Sequence, residues 1–227
     1  MRFFIRSFAL ALAVLAQTFP AGAAESKWLS LFDGKTLAGW KQLGGKAPFE
    51  IREGTIVGRV VPEKQNSFLC TEADFGDFVF ECEFKPDAGL NSGVMFRGLS
   101  KTDYKEGRVH GYQYEIDPTA RGLTAGLYDE ARNGWLSPTA NSGQPKDDWV
   151  KARGDGKWLK IGEWNTLRIE CRGSHLQLWL NGKKAVDHRD TQTARGFIGL
   201  QVHAPGNDPA RLGKEVAFRK LRLQKLD

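Results

Sequence analysis

Only three of the 227 residues are cysteine and two are methionine, and these scarcities narrow the reading before any motif does. Cys70, Cys82 and Cys171 are too few, and odd in number, for a disulfide framework. None belongs to a CxxC pair, so no metal or redox motif of that type is present. Cys82 alternates with Phe78, Phe80 and Phe84, and Cys171 with Leu167 and Ile169, so both read as small buried thiols. One bridge in an oxidising compartment would still leave a thiol free. There is no glycine-rich nucleotide fingerprint and no amphipathic helix of three turns. Charge of one sign is not abundant either: 33 basic residues face 27 acidic ones. The Lys183-Lys184 pair is the nearest thing to a basic patch and fits a solvated hairpin turn, so nucleic acid is not an expected partner.

Long apolar runs are also lacking after the first residues. Arg2 and Arg6 precede an apolar stretch from Phe8 to Ala16, and Pro20 is followed by Ala21-Gly22-Ala23. This is the layout of a secretory leader with a small-residue cleavage site, expected to span residues 1–24. The stretch is short for a spanning helix, and no cysteine stands at the cleavage point for lipid attachment. A soluble chain with no membrane anchor after cleavage is expected. Without Arg2 and Arg6 it carries 31 basic and 27 acidic residues. Residues 25–227 suffice for one all-β domain with a substantial core.

What the chain does have is short alternating segments between frequent turn signals, the pattern of an antiparallel sandwich. Expected strands run over residues 49–57, 67–70, 77–84, 92–97, 111–116 and 123–128. Later ones run over 164–172, 175–180, 196–203 and 215–224. Asn181-Gly182 closes the clearest hairpin. Residues 133–160 break the pattern, being rich in Gly, Pro, Asp and Lys and carrying Trp135, Trp149 and Trp158. A loop this long in a compact domain is usually functional or disordered. Three tryptophans argue for order, and so for an excursion over one rim of the sandwich.

Residues two apart on a strand share a face. On the strand over 111–116, Tyr112, Tyr114 and Ile116 take one face, and Gln113 and Glu115 take the other, with Asp117 following. Arg97 is expected opposite Val94 and Phe96, Tyr128 opposite Leu127, and Gln201 and His203 opposite Leu200 and Val202. If these strands share a sheet, Arg97, Gln113, Glu115, Asp117, Tyr128, Gln201 and His203 converge on one surface. Any one of them could be polar simply because water is there. As a set they are not the Lys/Glu/Thr mix of a solvated face. They offer donors and acceptors for sugar hydroxyls and acid–base pairs. Trp135 and Trp149 are candidate platforms over that surface.

A Glu-x-Asp strand suggests a retaining glycosidase, whose two carboxyl groups flank the scissile bond about 5 Å apart. Such enzymes carry a second Glu shortly after the Asp. Here Pro118, Thr119 and Ala120 follow, which disfavours a direct two-carboxylate glycosidase.

Leu31-Phe32-Asp33-Gly34-Lys35-Thr36-Leu37-Ala38-Gly39-Trp40 resembles the opening of the 3-keto-disaccharide hydrolase domain family, also described as 3-keto-glucoside 1,2-lyase and 3-keto-2-hydroxy-glucal hydratase. Further matches are Asn91 to Arg97, Gly162 to Asn165, Asn181-Gly182, Gly199 to His203 and Phe218 to Leu223, together spanning nearly the whole mature chain. One departure stands out. Family members commonly read Gly-Tyr-Glu-Tyr-Gln-Ile on the central strand, whereas here Gln113 precedes Glu115. The resemblance implies a concanavalin A-like lectin/glucanase jelly-roll sandwich of two antiparallel sheets, located in the periplasm or secreted. It also implies cleavage of 3-keto-glycosides by removal of the C2 proton beside a C3 ketone. Glu115 or His203 would then be the base, Tyr128 the acid and Arg97 the enolate stabiliser. Gln113, Asp117 and Gln201, with Trp135 and Trp149, would hold the sugar. If a divalent metal ion takes part, Glu115, Asp117 and His203 are its candidate ligands. A separate sugar 3-dehydrogenase would supply the oxidised substrate. The alternative class is a non-catalytic secreted carbohydrate-binding module, which would lean on exposed aromatic platforms instead.

Overall fold

The computed structural model describes residues 27–139, 145–154 and 157–226. The leader expected over residues 1–24 lies outside them. Described residues form fifteen strands. The first seven are β1 (Leu29–Ser30), β2 (Trp40–Gly44), β3 (Phe49–Arg52), β4 (Thr55–Arg59), β5 (Ser67–Thr71), β6 (Phe78–Pro86) and β7 (Ser92–Gly98). Then come β8 (Gly111–Ile116), β9 (Leu127–Glu130), β10 (Gly134–Ser137) and helix α1 (Lys146–Lys151). The chain closes with β11 (Asn165–Arg172), β12 (His175–Leu180), β13 (Lys183–Arg189), β14 (Phe197–Val202) and β15 (Glu215–Lys225).

All pairings are antiparallel, and two sheets result. One runs β13-β12-β11-β6-β15-β4-β3 with β1 added on β15, and the other runs β10-β9-β8-β7-β14-β5-β2. The expected two-sheet, all-β sandwich is therefore what forms. Alternation explains it. On β6, Phe78, Phe80, Cys82 and Phe84 point between the sheets and are at most 3% exposed, while Glu81 and Glu83 stay on the outer side. Tyr112, Tyr114 and Ile116 of β8 meet them from the opposite sheet, with Phe84 edge-on to Tyr114 at 6.3 Å. Each such aromatic or aliphatic side chain contributes about 1.5–3 kcal/mol of burial.

Several boundaries depart from the sequence reading. The segment over 49–57 is a hairpin of β3 and β4, because Glu53 and Gly54 both take positive φ and reverse the chain. The segment over 123–128 becomes strand only at Leu127: Leu123 to Gly126 form a turn closed by the Gly126 N–H donating to the Leu123 carbonyl at 3.0 Å. The expected excursion over 133–160 contains β10 and the one-and-a-half turns of α1. Lys183 and Lys184 open strand β13 rather than occupying the turn itself, which is formed by Asn181 and Gly182 at φ 49° and 77°. All three cysteines are buried and free.

Candidate functional site

Three strands of the second sheet lie side by side as β9-β8-β7, with β14 next. The register sets Tyr128 opposite Gln113, Gln113 opposite Met95, Gly93 opposite Glu115, and Gly93 opposite Gln201. Gly93 matters at this crossing. A Cβ built there would lie 2.6 Å from the Gln113 amide carbon, so a side chain would displace Gln113. The space is used for a hydrogen-bond string: Gln201 Nε2 donates to Gln113 Oε1 at 3.0 Å, and Gln113 Nε2 donates to Glu115 Oε2 at 2.9 Å. Asn91 Nδ2 donates to the other carboxyl oxygen of Glu115 at 2.6 Å.

This string floors a cleft of about 550 Å³, a size suited to a small ligand. Asn91, Gln113 and Glu115 form the floor. Tyr128, Glu130, Trp135 and His203 form walls, and Thr119, Arg121 and Arg211 close the rim. Burial pushes the Glu115 carboxyl up to about 7, against the opposing pull of the Asn91 and Gln113 donors. Burial raises Glu130 as well. His203 is held below the usual imidazole value, chiefly by burial. Its Nδ1 lies 2.7 Å from the Ala204 carbonyl oxygen, which can only accept. The Nδ1 proton is thereby assigned, and Nε2 keeps a free lone pair. The Tyr128 phenol is raised by burial and so keeps its proton at neutral pH. Its ring meets Trp135 edge-on at 5.2 Å.

Of the residues expected on this surface, Gln113, Glu115, Tyr128, Trp135 and His203 line the one cleft. Gln201 sits behind Gln113 as the first donor of the string and is fully buried. Asp117 does not line the cleft. Its Oδ1 accepts from the Thr119 N–H and hydroxyl, at 3.2 and 2.6 Å, and Arg121 Nε sits 2.9 Å from Oδ2. Asp117 thus holds the turn that carries Arg121 to the rim, where Arg121 Nη2 lies 3.7 Å from Glu115.

Arg97 and Trp149 are elsewhere. Between Met95 and Gly98, β7 holds one residue more than its partner β14, a bulge with Arg97 at φ 46°. That extra residue breaks the alternation and turns the guanidinium away from the outer face. Arg97 is 1% exposed and donates to the carbonyls of Gly76, Gly173 and Thr193 and to Asp77 at 2.8 Å. It is a tie between loops and does not line the cleft. Trp149 is not a platform: it is 2% exposed, buried from α1 in the main core, with Arg153 stacked on it at 3.8 Å. Nor do Glu115, Asp117 and His203 assemble as ligands. Among the described residues, no group of three or more His, Cys, Asp or Glu side chains could hold a metal ion.

The sequence reading missed Asn91, Glu130, Arg121 and Arg211. Glu130 had a signal that went unused: two residues beyond Tyr128 on β9, it shares that residue's face. Asn91 and Arg121 come from loops and Arg211 from a three-residue 3-10 turn, where alternation says nothing.

Comparison with known proteins places this geometry among relatives. The family profile described as the 3-keto-alpha-glucoside-1,2-lyase-like domain matches residues 27–224. A 3-keto-disaccharide hydrolase of Bacteroides thetaiotaomicron is 23% identical over 242 residues, covering 88% of this chain and 79% of that protein. A Bacillus subtilis protein of unknown function with a galectin-like fold superposes with a TM-score of 0.60 at 12% identity, over 88% of this chain and 94% of that one. The carbohydrate-binding module CBM66 from Bacillus subtilis superposes at 0.55 and 18% identity, over 82% and 96%. The two superpositions speak to the fold alone.

Proposed function

Because this chain belongs to the 3-keto-alpha-glucoside-1,2-lyase-like domain family, we propose that it cleaves 3-keto-disaccharides and related 3-keto-glycosides by elimination followed by hydration. The observation that carries this reading is the Glu115 carboxyl, held in the cleft floor with a pKa near 7. A general base works best when its pKa lies near the working pH, and enzymes raise Glu to 6–7 by burial for that purpose.

The chemistry assigns each cleft group a step. Glu115 takes the proton from C2, and the C2–H electron pair moves toward C3 to give an enolate on the C3 oxygen. Arg211 faces the cleft, with Asp208 3.4 Å from its Nε; it takes the enolate-stabilising role that Arg97 is too remote to fill. The enolate collapses, C3=O re-forms, a C1=C2 double bond forms, and the C1–O bond breaks. The leaving oxygen takes its proton from Tyr128. Water then loses a proton to His203 Nε2, its oxygen bonds to C1, C2 regains a proton from Glu115, and the proton on His203 is relayed through water back to the Tyr128 phenolate. The product is a free 3-keto-sugar. The ketone must be installed beforehand by a separate dehydrogenase, and export across the inner membrane would put the enzyme where extracytoplasmic glycosides arrive.

A purely binding role would draw on exposed aromatic platforms. Trp149 is buried and Trp135 is packed against Tyr128, so the cleft is lined mainly by acid–base groups rather than stacking rings. The test is incubation of the purified protein with a 3-keto-disaccharide while following the free 3-keto-sugar. Turnover that disappears in His203→Ala supports the assignment; no turnover by the native protein overturns it.

A further inference from the structure

A second cavity of about 510 Å³ lies on the same sheet face, and its wall shares two residues with the cleft, Glu130 and His203. Its floor is apolar. Phe68 and Val109 belong to a small cluster with Cys70, Met95 and Phe197, separate from the main core and on the outer side of the sheet. Its rim is polar, from Gln65, Asn66, Lys105 and Arg108.

The wall between the two cavities is built rather than incidental. Asn66 accepts the Ala204 N–H on its Oδ1 at 3.0 Å, and its side chain also favours the charged form of the Glu130 carboxyl. Arg108 Nη2 lies 3.7 Å from the same carboxyl, which is 10% exposed at the side chain. Residues from β9, from the loop before β5 and from the end of β14 thus meet at one partition. An apolar floor beneath a polar rim suits a pyranose, which presents a C–H face to the floor and hydroxyls to the rim.

We infer that the second cavity holds the unoxidised, departing sugar unit of a two-unit substrate, with the linking oxygen lying over the Glu130–His203 partition. The inference rests on the proposed function for the identity of the first unit. It extends that reading by making the enzyme selective for a sugar, rather than a small alkyl group, on the leaving side.

The test compares kcat/KM for a 3-keto-disaccharide with that for the methyl 3-keto-glucoside. The native protein is expected to favour the disaccharide by about 10-fold, which is about 1.4 kcal/mol. In Arg108→Ala and Lys105→Ala the ratio should fall toward one. A native ratio of one, or a ratio that both variants leave in place, overturns the inference while the proposed function stands. If neither substrate is cleaved, the proposed function fails, and the cavity is tested directly by calorimetric titration with the unoxidised disaccharide. Binding weakened in Arg108→Ala then supports the cavity; no binding, or equal binding, overturns it.

Discussion

Replacing Glu115 with Gln isolates the energetic signature of the cleft. A carboxyl moved from 4.5 to about 7 by burial corresponds to about 3 kcal/mol at ~1.4 kcal/mol per pKa unit. Because the folded-state pKa is raised, the folded chain holds this proton where the unfolded chain has lost it. The stabilisation is fully present below pH 4.5 and is lost as pH rises through about 7, after which the curve is flat. Glutamine cannot ionise, so Glu115→Gln lacks this slope. Its amide also meets the Asn91 and Gln113 donors, a cost that does not vary with pH and therefore cancels. Urea unfolding of both proteins from pH 4.5 to pH 8 should show the variant gaining about 3 kcal/mol relative to the native protein across that interval. A difference that stays constant, or that moves the other way, would refute the claim that Glu115 is buried at a penalty.

Three further outcomes follow from the same contacts. Asn91→Ala removes the 2.6 Å donor to Glu115; a hydrogen bond to a charged group is worth about 1.5–3 kcal/mol, so the acid limb of the kcat/KM profile should rise by about one to two pH units. An unmoved limb would count against Glu115 as the titrating base. Arg97→Met strips the donors from the carbonyls of Gly76, Gly173 and Thr193, of which the last is buried, and from the partly exposed Asp77, costing about 3 kcal/mol. Calorimetry should show a fall in Tm of about 6–12 °C, with kcat/KM of the folded protein intact. Arg211→Ala should lower kcat by about 100-fold if its charge meets the enolate, in line with the loss of one oxyanion donor; a change confined to KM would make it a binding group only.

Much of the fold could be read from alternation, because the 2-residue period survives wherever a strand is flat and half-buried. β8 and β12 run over the residues expected, and the polar face of β8 does carry Gln113 and Glu115 into the cleft. The period fails where the backbone adds a residue. At Arg97 a single bulge converts an apparent surface cation into a buried tie between loops. It also fails in short helices: Trp149 sits in a six-residue α1 whose inward side is a single indole, so no stripe announces it. Asn91 and Arg121 reach the cleft from loops, and Arg211 from a short 3-10 turn, that only the sheet order brings together. Glu130 is the most consequential omission. No second Glu stands close after Asp117, which counts against a two-carboxylate glycosidase in the sequence, yet the hairpin from β8 to β9 returns Glu130 to the same cleft.

That second carboxyl makes the fate of the C2 hydrogen the decisive observation. A 3-keto-disaccharide deuterated at C2 of the oxidised unit, cleaved by the native protein, should turn over more slowly than its protiated counterpart. Its label should pass to solvent, because the Glu115 carboxyl exchanges its deuteron with water before it reprotonates C2 and the free 3-keto-sugar is released. Equal rates with the deuterium retained at C2 would mean that Glu115 and Glu130 cleave the bond directly, and would contradict proton abstraction beside the ketone.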